Sequence, residues 1–292
     1  MNLSFRTDVT ILGDPLAAYA QLRISGGGGW SGVANNGETC LLSTSPELFF
    51  RFDGRTLEAR PMKGTAKRDP NASKDRQAAA ALALDVKERA ENLMIVDLLR
   101  NDISRIAQVG KVTVPELFSV ETYPTVHTLT STVRGEIKPG RDALDALGAL
   151  FPCGSITGAP KIRAMEIIDE LEIDERGPYT GAIGWMAPDG TAEFNVAIRT
   201  VVVTPKGGRT GIGFGRGLRF RGGKRMGRMP AEGRVPQRPS QTVRPHRNHG
   251  LCTRDRNRLS RSPSGALEKI RRHFGLCFRR SAHSRAARRR IG

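Results

Sequence analysis

The distribution of charge along the chain is the feature that most limits its possible folds. Residues 206–292 carry 25 basic and 3 acidic side chains, whereas residues 1–205 carry 22 basic and 26 acidic ones. A segment with high net charge and few apolar residues cannot bury enough surface to fold, so we predict that residues 216–292 are disordered. A folded domain of ordinary composition is therefore expected within residues 1–215.

Several classes of protein are excluded by short features of the sequence. The longest apolar run, residues 78–84, has seven residues, which is too short to cross a membrane. The first residues contain no apolar stretch typical of a secretory signal. The four cysteines lie far apart, which argues against a disulfide framework and against a structural zinc site. We therefore expect a cytoplasmic protein with no membrane partner.

The pattern of residues 45–60 predicts a β-hairpin. An Asp-Gly pair in its centre is typical of a two-residue type I′ turn between strands. Such a turn would place Glu47 opposite Arg60. Lys63, a few residues further along, would then leave the hairpin at the same end, beside Glu47.

A second hairpin and several helices complete the predicted elements. Residues 181–203 predict two strands around a Pro-Asp-Gly turn, with Arg199 in the middle of the second strand. Helical patterns occupy residues 73–107 (with one break), 141–150 and 161–171. Because these elements do not follow strict β-α-β alternation, we predict an antiparallel α+β fold.

Two acidic residues of the first long helix could hold a metal ion. Glu88 and Glu91 are three residues apart, so they share one face of the helix. Carboxylate oxygens in this arrangement suit a hard cation such as Mg²⁺. The alternative is a solvated helix face on which these residues pair with Lys87 and Arg89.

Three further features are open to two interpretations each. The small-residue loop 154–161 precedes a helix, and it could bind an anion or simply cap that helix. Arg199, flanked by apolar residues, needs an anionic partner, which could be a carboxylate of the protein or of a ligand. His127 is the one histidine before the basic segment, and such a histidine is more often satisfied in the core than catalytic.

Eight short segments, in this order, resemble the chorismate-utilising enzymes. They lie at residues 45–49, 60–65, 87–92, 96–102, 126–127, 151–161, 176–179 and 197–200. Each segment alone is weak evidence for the resemblance. The ordered set covers residues 1–213 and is highly specific for the family. The resemblance implies two large antiparallel sheets packed together with helices outside, in a catalytic domain of residues 1–215 that is incomplete at both ends.

The resemblance also implies a role for each candidate residue. Glu88 and Glu91 would bind Mg²⁺, which holds the ring carboxylate of the substrate, chorismate. Arg199 and Tyr179 would bind the enolpyruvyl carboxylate. Glu47 would be the general acid for the departing C4 hydroxyl. The remaining implied substrate contacts are Thr65, His127, Ser155 and Gly213.

Lys63 distinguishes two branches of this family. The aminodeoxychorismate synthases carry lysine here, thought to act as a covalent nucleophile in its neutral form, whereas anthranilate synthases carry alanine. The resemblance therefore implies amination of chorismate at C4, on the route to para-aminobenzoate and folate. Anthranilate synthesis is the alternative. The ammonia would come from a separate glutamine amidotransferase subunit.

The family's closing segment is not recognisable after Gly215. A helix resembling Glu-x-x-Glu-Cys-x-x-Lys, which supplies the other half of the Mg²⁺ site, is expected there, but an Arg-rich sequence follows instead. A reading-frame shift near Gly215 would explain this, because another frame permits the missing helix. Since Mg²⁺ requires near-octahedral coordination, half of its ligands should bind it poorly, and we expect little or no activity.

A protein of another class remains an alternative. The basic segment could be a nucleic-acid-binding arm, and its charge predicts salt-dependent binding to any nucleic acid. It contains few aromatic residues for base stacking and no recognisable motif. We therefore expect no specific nucleic-acid partner.

Overall fold

The computed structural model describes residues 1–11, 13–26 and 29–215. The strands of this part are β1 (Asn2–Val9), β2 (Trp30–Asn35), β3 (Cys40–Ser45), β4 (Leu48–Phe52), β5 (Thr56–Arg60), β6 (Met62–Lys67), β7 (Ala107–Thr122), β8 (Val126–Ile137), β9 (Ala182–Met186), β10 (Ala192–Val196), β11 (Thr200–Thr204) and β12 (Gly207–Gly215). The helices are α1 (Pro15–Gly26), α2 (Ala72–Leu84), α3 (Val86–Ser104), α4 (Ala143–Leu150) and α5 (Lys161–Leu171), and a 3₁₀ turn, Gly154–Ile156, precedes α5. The predictions for residues 216–292, namely disorder, a shifted frame and a nucleic-acid arm, fall outside the described residues.

The strands form two antiparallel sheets. One has the order β1-β12-β11-β3-β2, and the other has the order β6-β8-β5-β4-β10-β9, with β7 also paired to β8. Helices α2 and α3 pack on β6, β7 and β8, and α4 packs against α3. The antiparallel α+β architecture predicted from the sequence is confirmed.

The apolar core lies between the second sheet and its helices. Fully buried phenylalanines of β4 meet the inner face of α3 and the apolar face of α4. Phe50 stacks on Phe194 of β10, with ring centroids 5.1 Å apart. This core supports the first residues of β4, where Glu47 lies. Among the described residues, no helix is long and apolar enough to cross a membrane.

The predicted register of the first hairpin was wrong. Phe52 faces Leu57, so four residues (53–56) separate this pair, instead of the two of a two-residue turn. The Asp53 carboxylate stabilises this longer loop by accepting hydrogen bonds from the amides of Arg55 and Thr56, at 2.9 and 2.6 Å. A further irregularity within β4 places Leu48, and not Glu47, opposite Arg60.

The predicted second strand of the second hairpin is divided in two. The chain leaves the second sheet after Val196 and joins the first sheet at Thr200, where β11 pairs with β3 and β12. Arg199 lies in this connection and has a φ of +49°. This left-handed backbone conformation is uncommon for residues other than glycine. The prediction that Arg199 lies within a strand was therefore wrong, because the chain changes sheets there.

The predicted helices agree closely with α2 to α5, whereas helix α1 was not predicted. Helix α5 has the bounds predicted for it, and the long helical stretch is broken once, at Asp85. Asp85 ends α2 and caps α3, since its side chain accepts a hydrogen bond from the Glu88 amide at 2.9 Å. The cap fixes the first turn of α3, which carries Glu88, and Glu91 follows in the next turn.

Candidate active site

Glu47 is a buried carboxyl group at the start of β4. Its side chain is 3% exposed, and its Oε1 atom has no hydrogen-bond partner among the described residues. Burial raises the pKa of Glu47 to about 7, although the Ser155 hydroxyl, the positive charge of Lys63 and the Met62 amide oppose this change. The group can therefore hold a proton near neutral pH, as a general acid must.

Lys63, on β6, lies close enough to Glu47 for its charge to act on that carboxyl. Its Nζ atom lies 3.5 Å from the Oδ1 atom of Asn2. The Asn2 amide also donates a hydrogen bond to the carbonyl of Ser155. Asn2 thus links strand β6 to the loop that carries Ser155. No motif in the sequence indicated this role for Asn2.

Glu88 and Glu91 converge on one cation, the ammonium group of Lys87. The distances from Lys87 Nζ are 2.8 Å to Glu88 Oε1 and 3.4 Å to Glu91 Oε1. Arg89 instead lies over the ring of Phe118, 4.6 Å from its centroid. The two carboxylates can share a cation, but the described residues contain no cluster of three or more potential metal-binding side chains.

Gly64 brings the lysine strand close to these carboxylates. Its φ is +89°, and a Cβ atom added there would lie 2.9 Å from the Cβ atom of Glu88. Only glycine fits both the conformation and the contact. Next to it, the exposed Thr65 pairs with Thr128 of β8, whose hydroxyl donates to the Gly64 carbonyl at 3.0 Å.

The loop 151–160 is held to the core by a buried ion pair. Lys161, the first residue of α5, donates to Asp102 of α3 at 2.5 Å and to the Leu150 carbonyl at 2.9 Å. No local pattern in the sequence indicates this pair, since the two residues lie 59 positions apart. Pro160 is the N-cap of α5. The loop so fixed places Ser155 beside Glu47.

His127 is satisfied on both sides of its ring. Its Nε2 atom lies 2.9 Å from Asp75 Oδ1, and its Nδ1 atom lies 2.9 Å from the Thr122 hydroxyl. The guanidinium of Arg68, the Asp69 amide and His127 hold the pKa of the Asp75 carboxyl well below its usual range. Neither ring nitrogen is left for a ligand, which is typical of a core histidine, and contact with the substrate ring stays a prediction.

Tyr179 lies flat against the glycine-rich strand β12. A Cβ atom added to Gly211 would lie 2.2 Å from Cδ1 of the tyrosine ring, and one added to Gly213 would lie 3.1 Å from its hydroxyl. Arg6 lies over the same ring, 5.6 Å from the centroid. The glycines of β12 therefore make room for the tyrosine, which leaves its hydroxyl at the level of Gly213.

Arg199 lies close to the segment that carries Tyr179. Thr180 donates its amide to the Ala197 carbonyl, and Ala197 donates its amide to Gly181, both at 2.9 Å. Thr180 and Arg199 both have positive φ, at +61° and +49°. The Arg199 side chain is exposed, and no carboxylate pairs with it in the part of the chain that the structure describes. It is therefore available to an anionic ligand.

Replacement of Gly211 with alanine should displace Tyr179. Because the new methyl group would overlap the ring, we expect the free energy of unfolding to fall by about 2 kcal/mol. Gly32→Ala is the matched control, since Gly32 lies in the same sheet with no atom within 4 Å of an added Cβ. Urea unfolding of both variants checks this, and equal losses of stability would contradict it.

The described residues thus include a buried acid with a lysine that acts on it, an exposed arginine without a carboxylate partner, and two neighbouring carboxylates. Residues 1–218 match the family model described as chorismate binding enzyme. The chain therefore belongs to the family of chorismate-binding enzymes, as the resemblance of its segments indicated.

Relatives from two branches of this family are similar to the chain. Aminodeoxychorismate synthase component 1 of Escherichia coli (strain K12) is 46% identical over 201 residues, covering 69% of this chain and 44% of the relative. Anthranilate synthase component 1 of Streptomyces coelicolor is 50% identical over 163 residues, covering 56% of this chain and 32% of the relative. The chain thus spans less than half the length of these relatives.

A solved structure of the family has the same fold. The anthranilate synthase component I of Streptococcus pneumoniae superposes with a TM-score of 0.67 at 35% identity, over 73% of this chain and 47% of that one. The implied arrangement of two antiparallel sheets with outer helices is therefore confirmed.

Proposed function

We propose that the chain derives from the aminodeoxychorismate branch, which aminates chorismate at C4 with ammonia to give 4-amino-4-deoxychorismate. The observation that carries this proposal is that the positive charge of Lys63 acts on the buried acid Glu47. The similarity to aminodeoxychorismate synthases of several organisms supports it. The product would serve the synthesis of para-aminobenzoate and folate.

The two residues have complementary tasks in this reaction. The free amine of Lys63 forms a bond to C2 of chorismate, the ring double bond shifts, and the C4 hydroxyl leaves as water with the proton of Glu47. Ammonia then forms a bond to C4, the double bond shifts back, and the bond to the lysine breaks. The sum is chorismate plus ammonia giving 4-amino-4-deoxychorismate plus water.

The carboxylates of chorismate would be held at two ends of the pocket. Arg199, whose guanidinium has no carboxylate partner among the described residues, and the Tyr179 hydroxyl would bind the enolpyruvyl carboxylate. Glu88 and Glu91 would hold Mg²⁺, which when bound offsets the charge of the ring carboxylate and acts as a Lewis acid. Water and the substrate would have to supply the other ligands, since two carboxylates do not complete an octahedron.

Ammonia for this reaction would be delivered by a glutamine amidotransferase subunit. No residue of the described part of the chain is assigned to glutamine hydrolysis. Free ammonium salts should replace such a subunit in a direct assay.

Anthranilate synthesis is the second candidate function. The similarity to anthranilate synthases of Streptomyces coelicolor and Methanothermobacter marburgensis, at 50% and 42% identity, favours it. The lysine at position 63 opposes it, because that branch carries alanine there.

The product formed from chorismate tests the proposed function. We expect little or no turnover by the 292-residue chain with ammonium and Mg²⁺, because residues 216–292 do not resemble the family's closing helix. A chimera with the closing segment of the Escherichia coli relative in place of residues 216–292 should release 4-amino-4-deoxychorismate, identified by mass. Release of anthranilate by the chimera would assign the chain to the other branch, and rapid turnover by the unaltered chain would contradict the expected loss of activity.

A further inference from the structure

The thiol of Cys153 lies against the hydroxyl of Ser155. The Sγ and Oγ atoms are 3.2 Å apart, and the two residues are only 4% and 3% exposed. Both belong to the loop after α4, in which the Thr157 hydroxyl donates to the Cys153 carbonyl at 3.0 Å. Because the ion pair of Lys161 and Asp102 also holds this loop, the thiol and the hydroxyl have fixed positions.

The Ser155 hydroxyl in turn acts on the buried carboxyl of Glu47, whose pKa it lowers. Two titratable groups interact with Glu47: Lys63, which lies on β6, and Cys153, which lies in the loop. Burial and the negative charge of Glu47 raise the pKa of the Cys153 thiol to about 12. The thiol therefore keeps its proton near neutral pH and can donate it to the oxygen of Ser155.

A serine hydroxyl has a single proton to donate. If Cys153 donates to the Ser155 oxygen, the serine proton is free to point at Glu47, and each hydrogen bond of the chain strengthens the next. The order is thiol to hydroxyl to carboxylate. Such a chain favours the charged form of Glu47 and opposes the effect of burial.

We propose that Cys153 and Ser155 are positioning residues that orient the Glu47 carboxyl and adjust how readily it gives up its proton. The proposal deepens the proposed function, on which it rests for the use of that proton: Glu47 must release it to the C4 hydroxyl and later regain one. Cys153 has no contact with substrate in this proposal and acts through Ser155 alone.

Direct titration of Glu47 tests the pair without substrate. Carbon-13 NMR of protein labelled at glutamate carboxyls gives the pKa, and Glu47→Gln identifies the signal. We expect Ser155→Ala to raise the pKa of Glu47 by about one unit, because a donor to a charged group is lost. Cys153→Ala should raise it by about 0.3, since a thiol is a weak donor. Cys153→Ser should leave it unchanged or lower it.

Thr157→Val is the control for a purely structural effect. It removes a buried hydrogen bond of the same loop that does not face Glu47, so it should lower the stability of the chain but leave the pKa of Glu47 unchanged. An unchanged pKa in either Ser155→Ala or Cys153→Ala would overturn the proposal, as would a rise in Cys153→Ser.

The titration tests the positioning pair and the product assay tests amination, so each result can contradict its own proposal without affecting the other. Shifts of the expected sign in a chain whose chimera produces anthranilate would retain the positioning pair and refute amination. Release of 4-amino-4-deoxychorismate by a chimera whose Glu47 does not respond to these changes would retain amination and refute the pair.

Discussion

Replacement of Lys63 with alanine should abolish covalent capture of chorismate by the chimera that carries the closing segment of the Escherichia coli relative. With ammonia omitted, the attack of Lys63 and the loss of water should leave the ring attached to the lysine. Peptide mass spectrometry should then find Lys63 heavier by chorismate minus water. Because the attacking atom is absent from Lys63→Ala, capture should fall by ~10³-fold or more.

Lys67→Ala provides the matched control for this experiment. Lys67 lies on the same strand, β6, and is exposed. Its replacement should leave the labelling of Lys63 intact. Equal adduct formation by the chimera with and without Lys63→Ala would show that the modified residue is not the proposed nucleophile.

Glu47→Gln should stabilise the chain increasingly as the pH rises. The pKa of Glu47 is about 7 in the folded chain, against an ordinary value of 4.5. Between these values the folded state binds more protons than the unfolded state, so the unaltered chain loses stability as the pH rises through this window. By about pH 8 the loss amounts to about 3 kcal/mol. Glutamine resembles the protonated acid and avoids that loss.

Urea unfolding at several pH values measures this difference. The free energy of unfolding of Glu47→Gln, minus that of the unaltered chain, should be smallest near pH 4.5 and grow until about pH 8. Glu38→Gln serves as the control, because Glu38 is exposed and its substitution should give a difference that does not grow with pH. A constant difference for Glu47→Gln would contradict a buried, protonated acid.

Helices α2 to α5 could be predicted from the sequence because their signals are local, whereas α1 was missed. The apolar spacing of α5 and the capping aspartate at Asp85 act within a few residues of themselves. The register of the first hairpin could not be predicted, because the Asp53 carboxylate stabilises a longer loop than its Asp-Gly pair suggests. The change of sheet before Thr200 depends on pairing with β3, about 150 residues earlier in the chain, and no local pattern specifies it.

The residues of the candidate site could be predicted from the sequence, but their burial and contacts could not. Ordered motifs pointed to Lys63, Glu47 and Arg199 through their resemblance to a family. Burial of Glu47, and with it the rise of its pKa, depends on elements distant in sequence. The proposed role of Cys153 could not be predicted for the same reason. Cys153 acts through Ser155, and Ser155 matters because it lies near Glu47, which is distant in sequence.

The connection between Val196 and Thr200 has a consequence for how the molecule opens. The two sheets are joined by this connection and by one other short one, residues 46–47, so neither sheet can separate from its neighbours without pulling on the other. Their amide hydrogens should therefore exchange with solvent in a common event of high free energy. A ligand that binds Arg199 would slow exchange in both sheets together, far from any atom that it touches.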